Sequence, residues 1–249
     1  MSTPDFRFRQ FTVRHDRCAM KVGTDGVLLG AWAPLPASGI VLDVGTGTGL
    51  IALMVAQRQP ALHVIGIDVD AEAVSQAREN VAASPFTSRI QILHQGFEDY
   101  VATCTESDKP DTNHLVVEPP SAIVCNPPFF TESLLPPDPA RLAARHAQSL
   151  PFPTLLKGAA RLLPTDGVLS VILPTTALET FRLEAFTHGL VLTRLCYVRT
   201  TPAKAPKRVL ATFVLHHSTP FALEDTTLVL TEGGIRSAAY THLTRDFYL

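Results

Sequence analysis

A stiff polar loop follows one of the apolar runs of the sequence. The stretch IVCNPPFF, residues 123–130, places Asn126, Pro127, Pro128 and Phe129 directly after residues that suit a buried strand. Proline fixes φ at about −65° and restrains the residue before it, so the Asn126 side chain and the Pro127 carbonyl would be held in one geometry. Such a loop can aim polar atoms at a ligand, or it can end a strand while Phe129 packs in a core. The loop alone leaves both interpretations open.

A glycine-rich turn with a distal acid forms a second candidate site. The stretch LDVGTGTGL, residues 42–50, follows a predicted strand and opens a predicted helix. Gly45, Gly47 and Gly49 lack Cβ atoms, so the turn can adopt positive φ and a ligand can approach its backbone near the helix N-terminus. Asp68 ends the next predicted strand about 20 residues later, where a carboxylate can accept ribose hydroxyl hydrogens. The alternative is a turn whose glycines serve packing only and an Asp68 that is solvated.

The turn and its acids resemble those of class I S-adenosylmethionine-dependent methyltransferases. The glycine spacing is G-x-G-x-G, and Asp43 lies two residues before the first glycine. The resemblance implies S-adenosyl-L-methionine as the cofactor, with Asp43 near its amino acid end. Related enzymes often carry an acid after the third strand, where this chain has Gly96. We expect Glu98 or Asp99 to take over the contact with the cofactor adenine and the ring of Phe97 to cover that adenine.

The N-P-P-F sequence resembles the motif of methyltransferases that act on amino groups of adenine, of guanine N2 or of protein glutamine. The lone pair of such an amine is delocalised. By accepting its two hydrogens, Asn126 Oδ1 and the Pro127 carbonyl would favour a tetrahedral nitrogen aimed at the methyl group. This catalysis rests on positioning and electrostatics and requires no general base. The resemblance assigns catalysis to Asn126, Pro127 and Pro128, cofactor contact also to Asn126, and stacking on the base to Phe129.

Alternating strands and helices must position these motifs. Apolar runs rich in β-branched residues predict strands at 39–45, 62–69, 89–96, 121–128 and 167–174, and helical periodicity fills the stretches 49–59, 71–84 and 154–164. Residues 189–200 and 209–217 predict an antiparallel hairpin, and residues 104–120 predict a surface loop. The pattern favours one α/β domain, 1–249, of Rossmann-like class I methyltransferase fold. We expect a mainly parallel seven-stranded sheet with helices on both faces and the cofactor across the carboxyl ends of the early strands.

Composition restricts the classes of function. The formal charge is −2, from 21 Lys and Arg against 23 Asp and Glu, so any nucleic-acid contact must come from local patches. The four cysteines show no C-x-x-C spacing, which argues against a metal site or a disulfide framework. The N-terminus has no apolar signal region, and no run approaches the length of a membrane span. We therefore expect a cytoplasmic protein without metal or membrane contact, and we favour a monomer.

Segments near both ends of the chain, together with the two motifs, identify a particular methyltransferase family that the sequence resembles. Residues 8–33, the glycine stretch, NPPFF and the closing AYTHLTRDFYL together resemble bacterial tRNA1(Val) (adenine-N6)-methyltransferases, which modify the adenine next to the anticodon. The resemblance covers nearly the whole chain and is weakest at 104–120. It implies methyl transfer to N6 of an adenine in tRNA, with Thr24 beside the methionine end of the cofactor. Alternatively, Thr24 and Asp25 form an ordinary helix N-cap.

Other functions share the same motifs. An rRNA guanine-N2 methyltransferase and a protein-glutamine methyltransferase would use the same N-P-P chemistry. A cofactor-binding RNA chaperone that transfers no methyl group is a candidate of another class.

Basic residues near both ends of the chain are candidates for RNA binding. Phe6, Phe8 and Phe11 are interleaved with the first of them, and basic residues with aromatics can hold phosphates and unstacked bases. The candidates are Arg7, Arg9, Arg14, Arg17, Lys21, Arg145, Lys204, Lys207 and Arg208. We expect residues 1–35 to face RNA and cofactor and residues 130–152 to form a substrate-facing loop. The alternative is a solvated surface above phenylalanines that face the core.

Overall fold

The structure is a computed structural model of the 249-residue chain. It describes residues 5–18, 21–106, 118–127, 150–216 and 222–249. Within these ranges, no helix combines the length and the apolar character that a membrane crossing requires.

An eight-stranded sheet forms the centre of the fold. Its strands are β3 Gly39–Val44, β4 Leu62–Asp68, β5 Ile90–His94, β6 Ala122–Cys125, β7 Val168–Pro174, β8 Leu190–Arg199, β9 Arg208–Leu215 and β10 Glu224–Val229. They lie in the order β10-β8-β9-β7-β6-β3-β4-β5, and only β9 is antiparallel to its neighbours. The predicted fold class is confirmed, and β10 adds one strand to the predicted seven. Its first four residues, EDTT, are exposed and polar, so no apolar run marked it in the sequence.

Helices cover both faces of this sheet. They are α1 Thr24–Trp32, α2 Leu50–Arg58, α3 Ala71–Ala82, α4 Phe97–Glu106, α5 Phe152–Leu162, α6 Leu178–Thr187 and α7 Ala238–Thr244. Helices α1, α2, α3 and α7 contribute to a first core cluster on one face of the sheet, and α4, α5 and α6 contribute to a second core cluster on the other face. Val41 and Leu42 of β3 belong to different clusters because successive strand side chains point to opposite faces. Burial on both faces explains why these parallel strands are almost entirely apolar.

A short N-terminal hairpin packs beside the first core. Strands β1 Asp5–Arg7 and β2 Thr12–Arg14 pair antiparallel, and β11 Thr231–Glu232 pairs with β12 Ile235–Arg236 in the same way. The rings of Phe8 and Phe11 are buried and stack with centroids 4.7 Å apart. Of the two alternatives that the sequence left open, these two phenylalanines therefore follow the one in which they face the core.

The predicted surface loop at 104–120 begins later than expected. Helix α4 continues to Glu106, so the first three residues of that range are helical. The remainder up to residue 117 lies outside the described residues.

Candidate active site

Three neighbouring strands bring the predicted site residues to one edge of the sheet. In register, Val44 of β3 lies beside Ile67 of β4 and beside Cys125 of β6. One residue further along the chain, Val44 is followed by Gly45, Ile67 by Asp68 and Cys125 by Asn126. Neighbouring strands are about 4.8 Å apart, so Asp68 and Asn126 flank the glycine turn on its two sides. The carboxyl edge of the sheet thus joins the two candidate sites of the sequence into one.

The glycine turn leaves open space above its backbone. Gly45, Gly47 and Gly49 have φ of +70°, +54° and +79°, a region that side chains with a Cβ rarely adopt. A Cβ placed on Gly45 or Gly47 would have no atom of the described residues within 4 Å. The amides of Gly45 and Thr46 both donate to the Ile67 carbonyl at 3.0 Å, which ties the turn to β4. The turn is therefore an anchored stretch of backbone that carries no side chain at Gly45 and Gly47, so a ligand can approach it closely.

Asp68 is held at the side of this turn by two backbone amides. Its Oδ2 accepts from Gly47 N at 2.8 Å, and its Oδ1 accepts from Asp70 N at 3.0 Å. The residue is half-buried, and each carboxylate oxygen has a second lone pair for a ligand hydroxyl. The position suits the predicted contact with ribose hydroxyls.

Asp43 lies beneath the turn instead of lining it. The residue is fully buried, and its Oδ2 accepts from Thr46 Oγ1 at 2.7 Å and from Ala52 N at 3.1 Å. Burial raises the pKa of Asp43 to about 7, and the charge of Asp68 contributes to the same shift. Its Oδ1 is buried and has no hydrogen-bond partner among the described residues. Asp43 therefore joins the turn to α2, and a cation beside the turn would offset its charge without direct contact.

Asn126 extends from the most buried strand of the sheet. All four residues of β6 are buried, Asn126 is half-buried, and Pro127 is buried. Burial, followed by the charges of Asp43 and Asp68, raises the pKa of the Cys125 thiol, which places that thiol near both acids. The backbone that carries Asn126 is therefore anchored beside the glycine turn. The predictions for Pro128, Phe129, Arg145 and the loop up to residue 149 fall outside the described residues.

Phe97, the first residue of α4, is buried. Its ring belongs to the second core cluster and lies so close to Gly158 of α5 that a Cβ there would be 2.4 Å from it. The ring therefore has little exposed surface, and its contact with the cofactor adenine stays a prediction. Glu98 and Asp99 are exposed in the first turn of α4, and Gly96 is half-buried in front of them.

Thr24 begins α1 and is exposed near the turn. Gly23 is the N-cap and makes no side-chain cap bond, so the predicted Thr24–Asp25 cap is replaced by an extended glycine. A Cβ on Gly26 would be 3.0 Å from Leu50, the first residue of α2, so the two helix starts are adjacent. Asp25 accepts from Arg208 Nε at 2.8 Å. Arg208, predicted to bind RNA, is thus engaged in an ion pair.

The other predicted RNA-binding residues that the structure describes are all exposed. Two of them also contact the rest of the chain: Arg9 Nε donates to the Tyr248 carbonyl at 2.5 Å, and Arg17 pairs with Glu79 of α3. The remaining exposed ones are Arg7, Arg14, Lys21, Lys204 and Lys207. The segment 200–207 joins β8 to β9 at the same sheet edge as Asn126, since Thr175 after β7 donates to the Lys207 carbonyl at 3.2 Å.

A basic cavity that the sequence did not indicate lies away from this edge. It has a volume of about 390 Å³ and is lined by Arg9, Gln10, Gln57, Arg58, Arg245 and Asp246. Arg58 ends α2, whereas the glycine turn precedes the start of that helix, so cavity and turn lie at opposite ends of α2. The cavity is therefore separate from the candidate active site.

Comparison with known proteins defines first a class and then a family. The family model "Methyltransferase small domain" matches residues 23–186. A solved structure from Agrobacterium tumefaciens, described as "a predicted O-methyltransferase", shares the fold with a TM-score of 0.60 and 20% identity over 90% of this chain and 96% of its own. The fold and the glycine turn therefore define a class I methyltransferase.

Two full-length relatives identify the family within this class. Proteins of Bacteroides fragilis strain YCH46 and of Phocaeicola vulgatus are 45% and 46% identical to this chain, and each alignment covers 100% of it and 99% of the relative. Both are named tRNA1(Val) (adenine(37)-N6)-methyltransferase. The chain belongs to this family.

Proposed function

We propose that the protein transfers a methyl group from S-adenosyl-L-methionine to the exocyclic N6 of an adenine in tRNA, next to the anticodon. The observation that carries this proposal is the register that sets Asp68, the glycine turn and Asn126 side by side on three adjacent strands. The names of the full-length relatives select adenine in tRNA among the amino groups that an N-P-P motif suits.

The residues around the turn fit the cofactor. Bound S-adenosyl-L-methionine supplies an electrophilic methyl group on a sulfonium. Asp68 would accept hydrogens from its ribose hydroxyls, and the open backbone at Gly45 and Gly47 would receive its body. The buried Asp43, whose Oδ1 has no partner among the described residues, would favour a cationic ligand beside the turn without touching it. Thr24, exposed at the start of α1, would border the methionine end.

The side-chain amide of Asn126 and the backbone carbonyl of Pro127 would position the substrate amine. Asn126 Oδ1 and the Pro127 carbonyl can each accept one of its hydrogens and favour a tetrahedral nitrogen. Because β6 is buried along its whole length, these acceptors need little reorganisation during the reaction. Phe129, two residues further on, would stack on the base.

The exposed basic residues supply the surface for tRNA. Lys204 and Lys207 lie on the segment beside the Asn126 edge, and Arg7 and Arg14 lie on the N-terminal hairpin. Phosphate contacts from such side chains would hold the anticodon arm while the base is placed at Asn126. Because tRNA is processed in the bacterial cytoplasm, we propose that compartment for the protein.

The test is a methyl-transfer assay with labelled cofactor on separate substrates. tRNA from a strain that lacks the gene should accept label as N6-methyladenosine, whereas rRNA and bulk protein should not. Label in rRNA guanine or in protein glutamine would replace this proposal with one of the rival activities. Cofactor binding by calorimetry without transfer to any substrate would favour the chaperone. Asn126→Ala, with an unchanged melting temperature, is the control for contaminating activity.

A further inference from the structure

The segment that follows the first hairpin turn, residues 12–18 and called the arm here, is held on α3 by two side-chain amides. Arg14 N donates to Asn80 Oδ1 at 2.9 Å, and Asn80 Nδ2 donates back to the Arg14 carbonyl at 2.9 Å. One helical turn earlier, Gln76 Oε1 accepts from Arg17 N at 3.2 Å, and its Nε2 donates to Asp16 at 2.5 Å. Asn80 thus bonds both backbone groups of Arg14, as a residue of a neighbouring strand would, whereas Gln76 bonds one backbone amide and the Asp16 side chain.

These amides are buried polar groups on a helix whose other buried residues are mostly apolar. Gln76 is 0% exposed and Asn80 is 2% exposed. A buried amide is costly unless its donors and acceptors are satisfied, and the backbone of the arm together with the Asp16 side chain supplies most of these partners. Release of the arm would leave both amides without these partners. The arm is therefore docked at a defined place.

Asn80 makes one further bond that joins the arm to the glycine turn. Its Nδ2 also donates to the carbonyl of Thr48, which lies between Gly47 and Gly49, at 2.9 Å. One carboxamide therefore holds the arm and the turn together. A flipped amide would place its donor against Arg14 N–H and its acceptor against two carbonyls, so the hydrogen bonds fix the orientation.

The end of the arm lies next to the acid of the candidate site. Cys18 is buried, and the strongest charges on its thiol after burial are those of Asp68 and Asp70. The arm thus extends from the Asn80 contact to the Asp68 side of the turn. It forms one boundary of the place where the cofactor would lie.

We propose that Asn80 is a positioning residue that couples docking of the arm to cofactor binding at the glycine turn. A ligand that holds the turn in its Asn80-bonded form strengthens arm docking, and arm docking strengthens ligand binding by the same factor. The proposal rests on the proposed function, since it takes the cofactor to bind at the turn. The coupling would hold Arg14, an exposed basic residue, in place when the cofactor is bound.

The test in the wild-type protein uses residue-resolved hydrogen exchange with S-adenosylhomocysteine as the probe. Saturating probe, verified by calorimetry, should slow exchange of the Arg14 and Arg17 amides by about fivefold or more. The Leu163 amide, bonded to Ala159 on the opposite face of the sheet, should be unchanged. Unchanged exchange at Arg14 and Arg17 with the probe bound overturns this inference alone. Absence of probe binding overturns the cofactor assignment and this inference with it.

The variants separate coupling from stability. Asn80→Ala should raise the Kd for the probe about tenfold and should abolish the probe-dependent protection of Arg17, whose amide bonds Gln76 and not Asn80. Gln76→Ala, whose side-chain bonds given above go to the arm alone, should raise the Kd about two- to threefold. If Asn80→Ala does not fold, Gln76→Ala decides the question. Wild-type probe affinity in Gln76→Ala, or in a folded Asn80→Ala, contradicts the coupling.

Discussion

Asn126 combines a restrained backbone with a proposed role in catalysis. It follows a buried strand and precedes a buried proline, so its backbone has little freedom. An acceptor fixed in advance stabilises a transition state more than a flexible one, because no energy is spent on orienting it during the reaction. The Asn126 side chain should therefore contribute to rate and little to binding.

The first prediction concerns Asn126→Ala. The turnover number at saturating tRNA should fall about 10²- to 10³-fold, as after loss of one preorganised hydrogen-bonding group, while the Kd values for cofactor and tRNA change less than about threefold. Single-turnover kinetics and calorimetry measure these quantities. Near-normal turnover would show that the loop only ends β6.

The second prediction concerns Asp68→Ala. Loss of the carboxylate removes hydrogen bonds to ribose hydroxyls of about 1.5–3 kcal/mol each, so cofactor affinity should fall at least about tenfold. The matched control is Asp70→Ala, which removes the N-cap of α3 and should lower stability by about 1 kcal/mol with cofactor affinity nearly unchanged. Equal cofactor affinities in the two variants would remove Asp68 from the site.

The third prediction concerns pH and Asp43. Burial raises the pKa of Asp43 from 3.8 to about 7, so the folded protein holds this proton in a pH range where the unfolded chain releases it. The corresponding stability is present below about pH 4 and is lost as pH rises through about 7. Asp43→Asn should flatten this part of the stability curve, measured by denaturant unfolding.

Cofactor binding should show the opposite dependence on pH. A cation beside the turn favours the ionised form of Asp43, so wild-type affinity for the cofactor should increase between pH 6 and pH 8. Calorimetry on Asp43→Asn should give a flatter dependence. The same slope in both proteins would show that another group titrates.

At the scale of elements, strands β3, β4, β5, β6 and β7 could be predicted closely because each is an apolar run bounded by turn residues. Strand β10 and the N-terminal hairpin could not. The first is polar and exposed, and the second is fixed by tertiary packing of Phe8 and Phe11. Local periodicity reports burial on a regular face; the first four residues of β10 have no buried face, and the two hairpin strands, of three residues each, are too short to identify by alternation.

The same limit applies to the candidate site. The glycine turn, Asp68 and Asn126 could be found because each lies at the carboxyl end of a recognisable strand. Gln76 and Asn80 could not, because buried amides on a helix have the same spacing as ordinary surface residues. Their partners lie about 60 residues earlier in the chain, at Arg14 and Arg17, and only the fold brings them together.

The fourth prediction concerns the segment between β8 and β9. Lys204→Ala combined with Lys207→Ala should weaken tRNA binding and leave cofactor affinity unchanged. The slope of log Kd against log salt concentration should fall by the amount that about two phosphate contacts contribute. Arg208→Ala is the matched control, since its guanidinium pairs with Asp25 and should affect stability more than the salt slope. A slope unchanged by the double substitution would move the tRNA surface elsewhere.

At the scale of the whole molecule, the two ends of the chain complete the first core together. Arg9 N donates to the Phe247 carbonyl at 2.8 Å, and the Phe8 ring stacks on Tyr248. Phe247 is 2% exposed, while the neighbouring Leu249 is 76% exposed. The fold is thus closed by contacts between residues at the extremes of the sequence.

The fifth prediction compares the buried Phe247 with the exposed Leu249. Phe247→Ala should lower the free energy of unfolding by about 3–5 kcal/mol through loss of buried area and formation of a cavity. Leu249→Ala should change it by less than about 0.5 kcal/mol. Denaturant titration of both proteins measures the difference, and similar values would show that the C-terminus does not complete the core.

The position of β9 has a consequence for how the protein is made. This strand lies between β7 and β8, although it follows both in the chain. While the nascent chain leaves the ribosome, β7, with the sequence VLSVILP, exposes an unpaired apolar edge until residues 208–215 have emerged. Such an edge can pair with another chain, so β7 is open to aggregation during the interval before β9 is synthesised.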